Sequence, residues 1–294
     1  MMNHLISRTV SIKNLILLIV FIVSIMASQS YTIAEGLTGQ DLSDIRRGST
    51  FYDPTAVDCT VDTSTNPSAN PANSSTDWTG KINEATDFAK KLNTKVGFTV
   101  AEAGTGNIIG GYEQDLSGDI ASMVKPFALA AYLDKNKDKD ITNDIKQKLT
   151  RMIVDSSQSD LNSIKNELGG NEALANYIKN GLKFDGTPPT DGDSIVSSKQ
   201  MAVAYARLED AFPQKHREFA MGLLSSISAP HQWGMIPAAK SQNWQWYVKA
   251  GWLENNVHQT GIFKKGNDKI TISIMQPNIP TPDKGSDGDP DSEQ

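Results

Sequence analysis

The chain has 294 residues, 38% of them apolar, a formal charge of −6 and one cysteine. This length suits one large domain or two small ones, with enough apolar side chains for a real core. No basic stripe interleaves with aromatics, which excludes a nucleic-acid surface, and the lone Cys59 excludes a disulfide framework or a multi-cysteine metal site.

At the N-terminus, Arg8 and Lys13 precede the apolar run Leu15 to Ala27, whose only polar residue is Ser24. Small residues follow in Ala27-Ser28-Gln29-Ser30 and Thr32-Ile33-Ala34. A positive flank, a short apolar run and small residues describe a secretory signal over residues 1–34. The strict run is shorter than the roughly 20 residues of a membrane span. Counted from Asn14 to Ala34, it is long enough for an uncleaved anchor. Cleaved or retained, the segment expects the rest of the chain outside the cytoplasm, secreted or membrane-anchored.

Residues 35–77 form a membrane-proximal segment, with Cys59 in it, that runs into a Ser/Thr/Asn/Pro linker from Thr60 to Asp77. A domain is expected over 78–277. It opens with an amphipathic helix marked by Ile82, Ala85, Phe88, Ala89 and Leu92. Val96, Phe98 and Val100 alternate as a strand, Gly104-Thr105-Gly106 turns the chain, and Asn107 to Tyr112 returns, which is a hairpin signal. The segment Ala121 to Leu133 is apolar apart from Ser122, Lys125 and Tyr132 and predicts a buried helix. Ile141, Ile145, Leu149, Met152 and Ile153 predict another helix, broken at Asp155 to Ser159. A short helix carries Leu161, Ile164 and Leu168 and stops at Gly169-Gly170. Further helices are expected at Glu172 to Ile178, Ser198 to Phe212 and His216 to Leu224. Strands return at Trp246 to Val248, Val257 to Phe263 and Lys269 to Met275. Strands from both ends of the domain, with helices between, predict an α+β fold: an antiparallel sheet flanked by a helical cluster. Residues 278–294 carry Asp283, Asp287, Asp289, Asp291 and Glu293 against Lys284 and are expected to be a disordered acidic tail.

Ser122 and Lys125 stand three residues apart, on one face of a helix. A buried lysine tends to lose its proton, and a neutral amine beside a hydroxyl makes a nucleophile. Such a serine needs partners for the leaving group and the developing charge. Ser156 and Gln158 sit in a loop between helices. Lys249 sits on a strand, and Gly251 two residues on lets a ligand lie along that strand's edge.

Ser-x-x-Lys, a Ser-x-Asn-like loop and Lys-x-Gly on a strand, in this order, resemble the signature of class A β-lactamases and penicillin-binding proteins. The likeness runs from about Trp78 to Pro277 and is strongest to compact secreted serine hydrolases of that superfamily. They carry Met-Ile-x-x-Ser-Asp-Asn-x-x-x-Asn and a Trp-Gly segment before a Lys-x-Gly-Trp strand. His231-Gln232-Trp233-Gly234 and Lys249-Ala250-Gly251-Trp252 match the latter two features, and Met152 to Asn162 stands in the place of the first, with Gln158 where the asparagine is usual and Asn162 in the place of a structural one.

The resemblance implies that Ser122 is acylated, Lys125 is its base, and Ser156 passes a proton to the leaving nitrogen. Lys249 would hold that serine and the substrate carboxylate. The N–H groups of Ser122 and Trp252 would form the oxyanion hole, and Gln158, Ala250 and Gly251 would contact substrate. It implies a β-lactam or a D-alanyl peptidoglycan peptide as substrate and no cofactor or metal. Three departures stand out. Gln158 replaces asparagine, Ala250 lacks the hydroxyl of Thr or Ser, and the loop between Leu182 and Gln200 offers only Asp185, Asp191 and Asp193 where class A enzymes carry a deacylating glutamate. Acylation machinery is therefore expected with slow deacylation. The alternative is a catalytically impaired wall-binding or membrane-tethered interaction module on the same fold.

Two weaker signals are read as structural. Asp134 to Asp140 has the acid spacing of an EF-hand loop start but lacks its glycine, with Ile145 at the glutamate position. His216, His231 and His258 have no metal spacing, although His231 is placed to line the cleft near Trp233.

Overall fold

A computed structural model describes residues 77–92, 94–253 and 256–277. The expected N-terminal signal or anchor, the linker and the acidic tail lie outside these residues. Helix α1 (Trp78–Ala89) starts at Asp77, whose carboxylate accepts the Gly80 N–H at 3.1 Å, an N-cap of the usual kind. Its buried residues include Ile82, Ala85 and Ala89, the stripe expected from the sequence. It lies on the hairpin of β1 (Gly97–Glu102) and β2 (Ile108–Tyr112). The close approach needs Gly110, where a Cβ would stand 2.9 Å from Ile82 Cδ1.

The C-terminal strands β5 (Gln245–Leu253), β6 (Asn256–Lys265) and β7 (Asp268–Gln276) join that hairpin. The sheet order is β2-β1-β7-β6-β5, every pair antiparallel. Its two faces differ as the period of two requires. One carries Phe98, Val100, Val248, Phe263, Ile270, Ile272 and Ile274 into a core with α1 and with Met235, Ile236, Ala238 and Ala239. The other is lined by small buried hydroxyls. Thr99 Oγ1 meets Ser198 Oγ at 2.9 Å, and Thr260 Oγ1 meets Ser273 Oγ at 2.8 Å. These pairs satisfy four hydroxyls that a buried face would otherwise orphan, while Thr271 Oγ1 on the same face has no hydrogen-bond partner among the described residues.

The helical cluster packs around α2 (Lys125–Lys135). Phe127, Leu129 and Leu133 are fully buried there, each contributing about 1.5–3 kcal/mol of hydrophobic stabilisation. Around it lie α3 (Asn143–Val154), α4 (Gln158–Leu168), α5 (Gly170–Gly181), α6 (Ser198–Ala206), α7 (Leu208–Ala211) and α8 (Gln214–Ser225). The expected helix over Ser198 to Phe212 is two helices. Arg207 ends the first with a helical but uncontinued turn, its N–H reaching Ala204 O at 3.2 Å. Three elements did not stand out in the sequence. They are α9 (Met235–Ser241) and the two-stranded ribbon of β3 (Ser117–Asp119) and β4 (Ile195–Ser197).

Candidate active site

Ser122 lies on a 3-10 turn, Ala121–Val124, directly before α2. The expected helix therefore begins one turn later than the apolar run, with Pro126 in its first turn, a position that suits proline. Ser122 is not a helix N-cap, because Val124 holds that place without a side-chain bond. Ala121 has φ 49°, the left-handed region, which costs a non-glycine residue about 1–2 kcal/mol. Two hydrogen bonds hold it. Ala121 N donates to Gly192 O at 2.7 Å and Ile120 N to Ser194 O at 2.8 Å.

The second group is Lys125, 1% exposed. Its Nζ lies 2.8 Å from Ser122 Oγ, 2.6 Å from Ser156 O and 3.1 Å from Ser156 Oγ. Burial pulls its pKa down to about 8. A neutral amine has two hydrogens and one lone pair. The Ser156 carbonyl can only accept, so it takes one hydrogen. That leaves one hydrogen and the lone pair for the two hydroxyls, and the lone pair can receive the Ser122 proton.

Ser156 is the single residue between the Asp155 C-cap of α3 and the Ser157 N-cap of α4. It too is left-handed, with φ 62°. A bidentate pair clamps the two helices on either side of it. Arg151 Nε and Nη2 donate to the Asp160 carboxylate at 2.9 and 2.7 Å. Ser156 Oγ also accepts from Lys249 Nζ at 3.0 Å. Lys249 lies on β5 facing the helices, opposite Thr260, and is fully buried. Burial, then the charge of Lys125, lowers its pKa to about 7. Ser122, Lys125, Ser156 and Lys249 thus form one continuous hydrogen-bonded chain.

Gly251 shares the face of Lys249. A Cβ there would stand 3.0 Å from Ser122 N, so β5 lies directly against the serine's amide. Ala250 and Trp252 alternate to the other face. Ala250 is buried, and its carbonyl accepts from Lys249 Nζ at 3.3 Å. Trp252 is 48% exposed. His231 packs edge-on against it at 5.1 Å, and Trp233 lies 6.5 Å from it. Gln259 fixes this wall from below. Its Oε1 accepts from Met235 N at 2.7 Å and its Nε2 donates to Trp233 O at 2.8 Å. Burial, followed by Lys249 and Lys125, pushes the His231 pKa down to about 4, so its ring is neutral at pH 7.

Gln158 opens α4 at the surface, with its amide Nε2 3.4 Å from Asn162 Oδ1. In the loop before β4, Asp191 pairs with Lys165 and accepts from Asn171 Nδ2 at 2.7 Å. Lys125 is shifted by burial alone, with no carboxylate offsetting it. Among the described residues no group of three or more His, Cys, Asp or Glu side chains could hold a metal ion. Ala121, Gly192 and Ser194 went unnoticed in the sequence, because their contribution is backbone geometry.

A model of the β-lactamase enzyme family matches residues 140–287, about half the chain. The match takes in Ser156 and Lys249 but begins after Ser122. The chain belongs to the β-lactamase enzyme family. Among solved structures, it is similar to an ancestral class A β-lactamase with a TM-score of 0.56 at 15% identity, over 68% of this chain and 92% of that one. A variant of the last common ancestor of class A β-lactamases of Gram-negative bacteria gives 0.52 at 16% identity, over 66% and 88%. At these identities the likeness is one of fold. No curated protein matches the sequence. The mixed architecture is that of class A β-lactamases, and the chain is hydrolase-like in family and fold.

Proposed function

We propose that the chain is an exported serine hydrolase that forms an acyl-enzyme through Ser122 with a β-lactam or a D-alanyl cell-wall peptide and releases it slowly. The observation that carries this reading is the contact of Ser122 Oγ with the Nζ of a buried Lys125 at 2.8 Å, with the amine's pKa lowered to about 8. Ser122 Oγ attacks the carbonyl carbon while Lys125 takes its proton. The proton then passes through Ser156 Oγ, 3.1 Å from Lys125 Nζ, to the departing nitrogen as the C–N bond breaks. Lys249 lends positive charge to a substrate carboxylate. The N–H of Ser122, which lies against Gly251, and the N–H of Trp252 hold the developing oxyanion.

Slow release has its own support. Hydrolysis of the ester needs a base to activate water. Asp191 is engaged by Lys165 and Asn171, and Asn162 is bonded to Gln158 at the surface. The apolar segment within residues 1–34 supports export or anchoring. None of the described helices is long and apolar enough to cross a membrane.

The test is incubation of the full-length protein with a labelled penicillin, followed by intact mass. The expected result is a covalent adduct on wild type, none on Ser122→Ala, and a release half-time of minutes or longer. No adduct on wild type, or an undiminished one on Ser122→Ala, overturns the reading. The second reading, a tethered wall-binding module, draws on the surface placement of Gln158 and the methyl of Ala250. It expects peptidoglycan binding without an adduct.

A further inference from the structure

The loop between Phe184 and β4 falls where the resemblance to class A enzymes implies a deacylating glutamate, and here it is tied to α4 and α5. Lys165 of α4 is 7% exposed. Its Nζ donates to Thr190 O at 3.1 Å and pairs with the Asp191 carboxylate. The other Asp191 oxygen accepts from Asn171 Nδ2 at 2.7 Å and from Thr190 Oγ1 at 3.3 Å. Asp191 then opens a tight turn. Ser194 N donates to Asp191 O at 3.1 Å, and Ser194 Oγ accepts from the amides of Thr190 and Asp191, both at 3.3 Å.

That turn presents two carbonyls to the nucleophile's segment. Gly192 O holds the amide of Ala121 and Ser194 O that of Ile120. The β3–β4 ladder continues the same pairing downstream, from Asp119↔Ile195 to Ser117↔Ser197. Ala121 is the left-handed residue immediately before Ser122. A strained conformation persists where its surroundings over-determine it, and here the surroundings are the turn on one side and Gly251 on the other. Gly251 leaves no slack, since a Cβ on it would stand 3.0 Å from both Ala121 Cβ and Ser122 N.

We infer that Asp191 is a positioning residue for acylation, not the base of deacylation. Together with Lys165 it roots the 191–194 turn in α4, the turn fixes the strained Ala121, and Ala121 aims the Ser122 hydroxyl and amide. This inference rests on the proposed serine chemistry. The shared geometry predicts which kinetic step depends on Asp191. A misaimed nucleophile slows bond formation, whereas ground-state binding and the attack of water on an ester already formed depend on other groups. Small misplacements of a reacting group lower rates by up to about 100-fold.

The experiment measures, on the full-length protein and a chromogenic penicillin, the pre-acylation dissociation constant, the acylation rate constant and the release rate constant separately. Variants are Asp191→Asn, which keeps the shape, Lys165→Met, and the exchanged pair Lys165→Asp with Asp191→Lys. Expected is an acylation rate constant lowered at least tenfold in both single variants, the other two constants within about twofold, and partial recovery in the exchanged pair. Unchanged acylation overturns the inference. So does selective loss of release in Asp191→Asn, which would make Asp191 the water-activating base. If the wild type forms no adduct, the acyl-enzyme reading fails by itself, and amide hydrogen exchange still decides the brace. Faster exchange at Ala121 in Asp191→Asn, with α2 still protected, supports it. Equal protection overturns it.

Discussion

Gly251 lies against the backbone of Ser122. A Cβ built on it would stand 3.0 Å from the serine's nitrogen and 2.9 Å from Ile120 O. Any side chain there must push β5 off the nucleophile's turn. Gly251→Ala is expected to lower the acylation rate constant about 100-fold or more, the scale of losing one oxyanion donor. Overpacking is expected to cost about 1–3 kcal/mol of stability. Stopped-flow acylation and urea unfolding measure the two. A fully active Gly251→Ala would mean that the amide of Ser122 does not face the reacting oxygen.

The sheet and the helical cluster were readable because their signals are local. Phe98 and Val100 alternate on β1, Ile270, Ile272 and Ile274 alternate on β7, and each set reaches the core the period demands. Helices α3 and α4 likewise bury the periodic residues Leu149, Met152, Ile153, Leu161 and Ile164. What local pattern could not supply is distance in sequence. Ser156 and Lys249 meet across 93 positions, and only the order of the three motifs suggested it. The ribbon of β3 and β4 pairs segments of three residues each, too short to show a period. The strained Ala121 looks in sequence like any small helical residue. Its conformation is imposed by Gly192 and Ser194, some 70 positions away.

Lys125 must be neutral to accept the Ser122 proton, and its pKa is lowered from 10.5 to about 8. Acylation by a neutral penicillin ester, which needs no carboxylate contact with Lys249, is expected to rise with pH through about 8 and then level. Lys125→Arg keeps a charge that cannot be removed. Its acylation is expected to fall by about 100- to 10,000-fold, the range of general base catalysis, with no rise between pH 6 and 10. A flat wild-type profile would take Lys125 out of the role of base.

Ser156 combines a left-handed backbone with a hydroxyl that two lysines contact. Replacing it separates the two properties. Ser156→Ala and Ser156→Gly both remove the hydroxyl, and both are expected to slow the acylation of a D-alanyl amide, which needs its leaving nitrogen protonated. They differ only in the Cβ. Glycine carries no left-handed penalty, so Ser156→Gly is expected to be more stable than Ser156→Ala by about 1 kcal/mol. Thermal melts of the two variants side by side measure the gap. Equal stabilities would mean that the backbone at this position relaxes when the lysines lose their partner.

His258 is fully buried on β6. Its Nδ1 accepts the Gln276 N–H at 3.0 Å, and its Nε2 lies against Gly118, where a Cβ would stand 2.7 Å away. Protonating Nδ1 would set one N–H against another, and burial pushes the pKa down to about 4 from 6.5. Between pH 4 and 6.5 the unfolded chain therefore binds a proton that the folded chain refuses, so stability falls as pH drops through this window. The loss from this residue reaches roughly 3 kcal/mol, from the size of the shift. His231 acts in the same direction, but it is partly exposed and is left unaltered by the test. Urea unfolding of wild type and His258→Asn at pH 7.5 and pH 4.5 is the measurement. Asparagine keeps an acceptor for Gln276 N and does not titrate. The variant is expected to lose less stability than wild type between the two pH values, and an identical loss would place the acid sensitivity elsewhere.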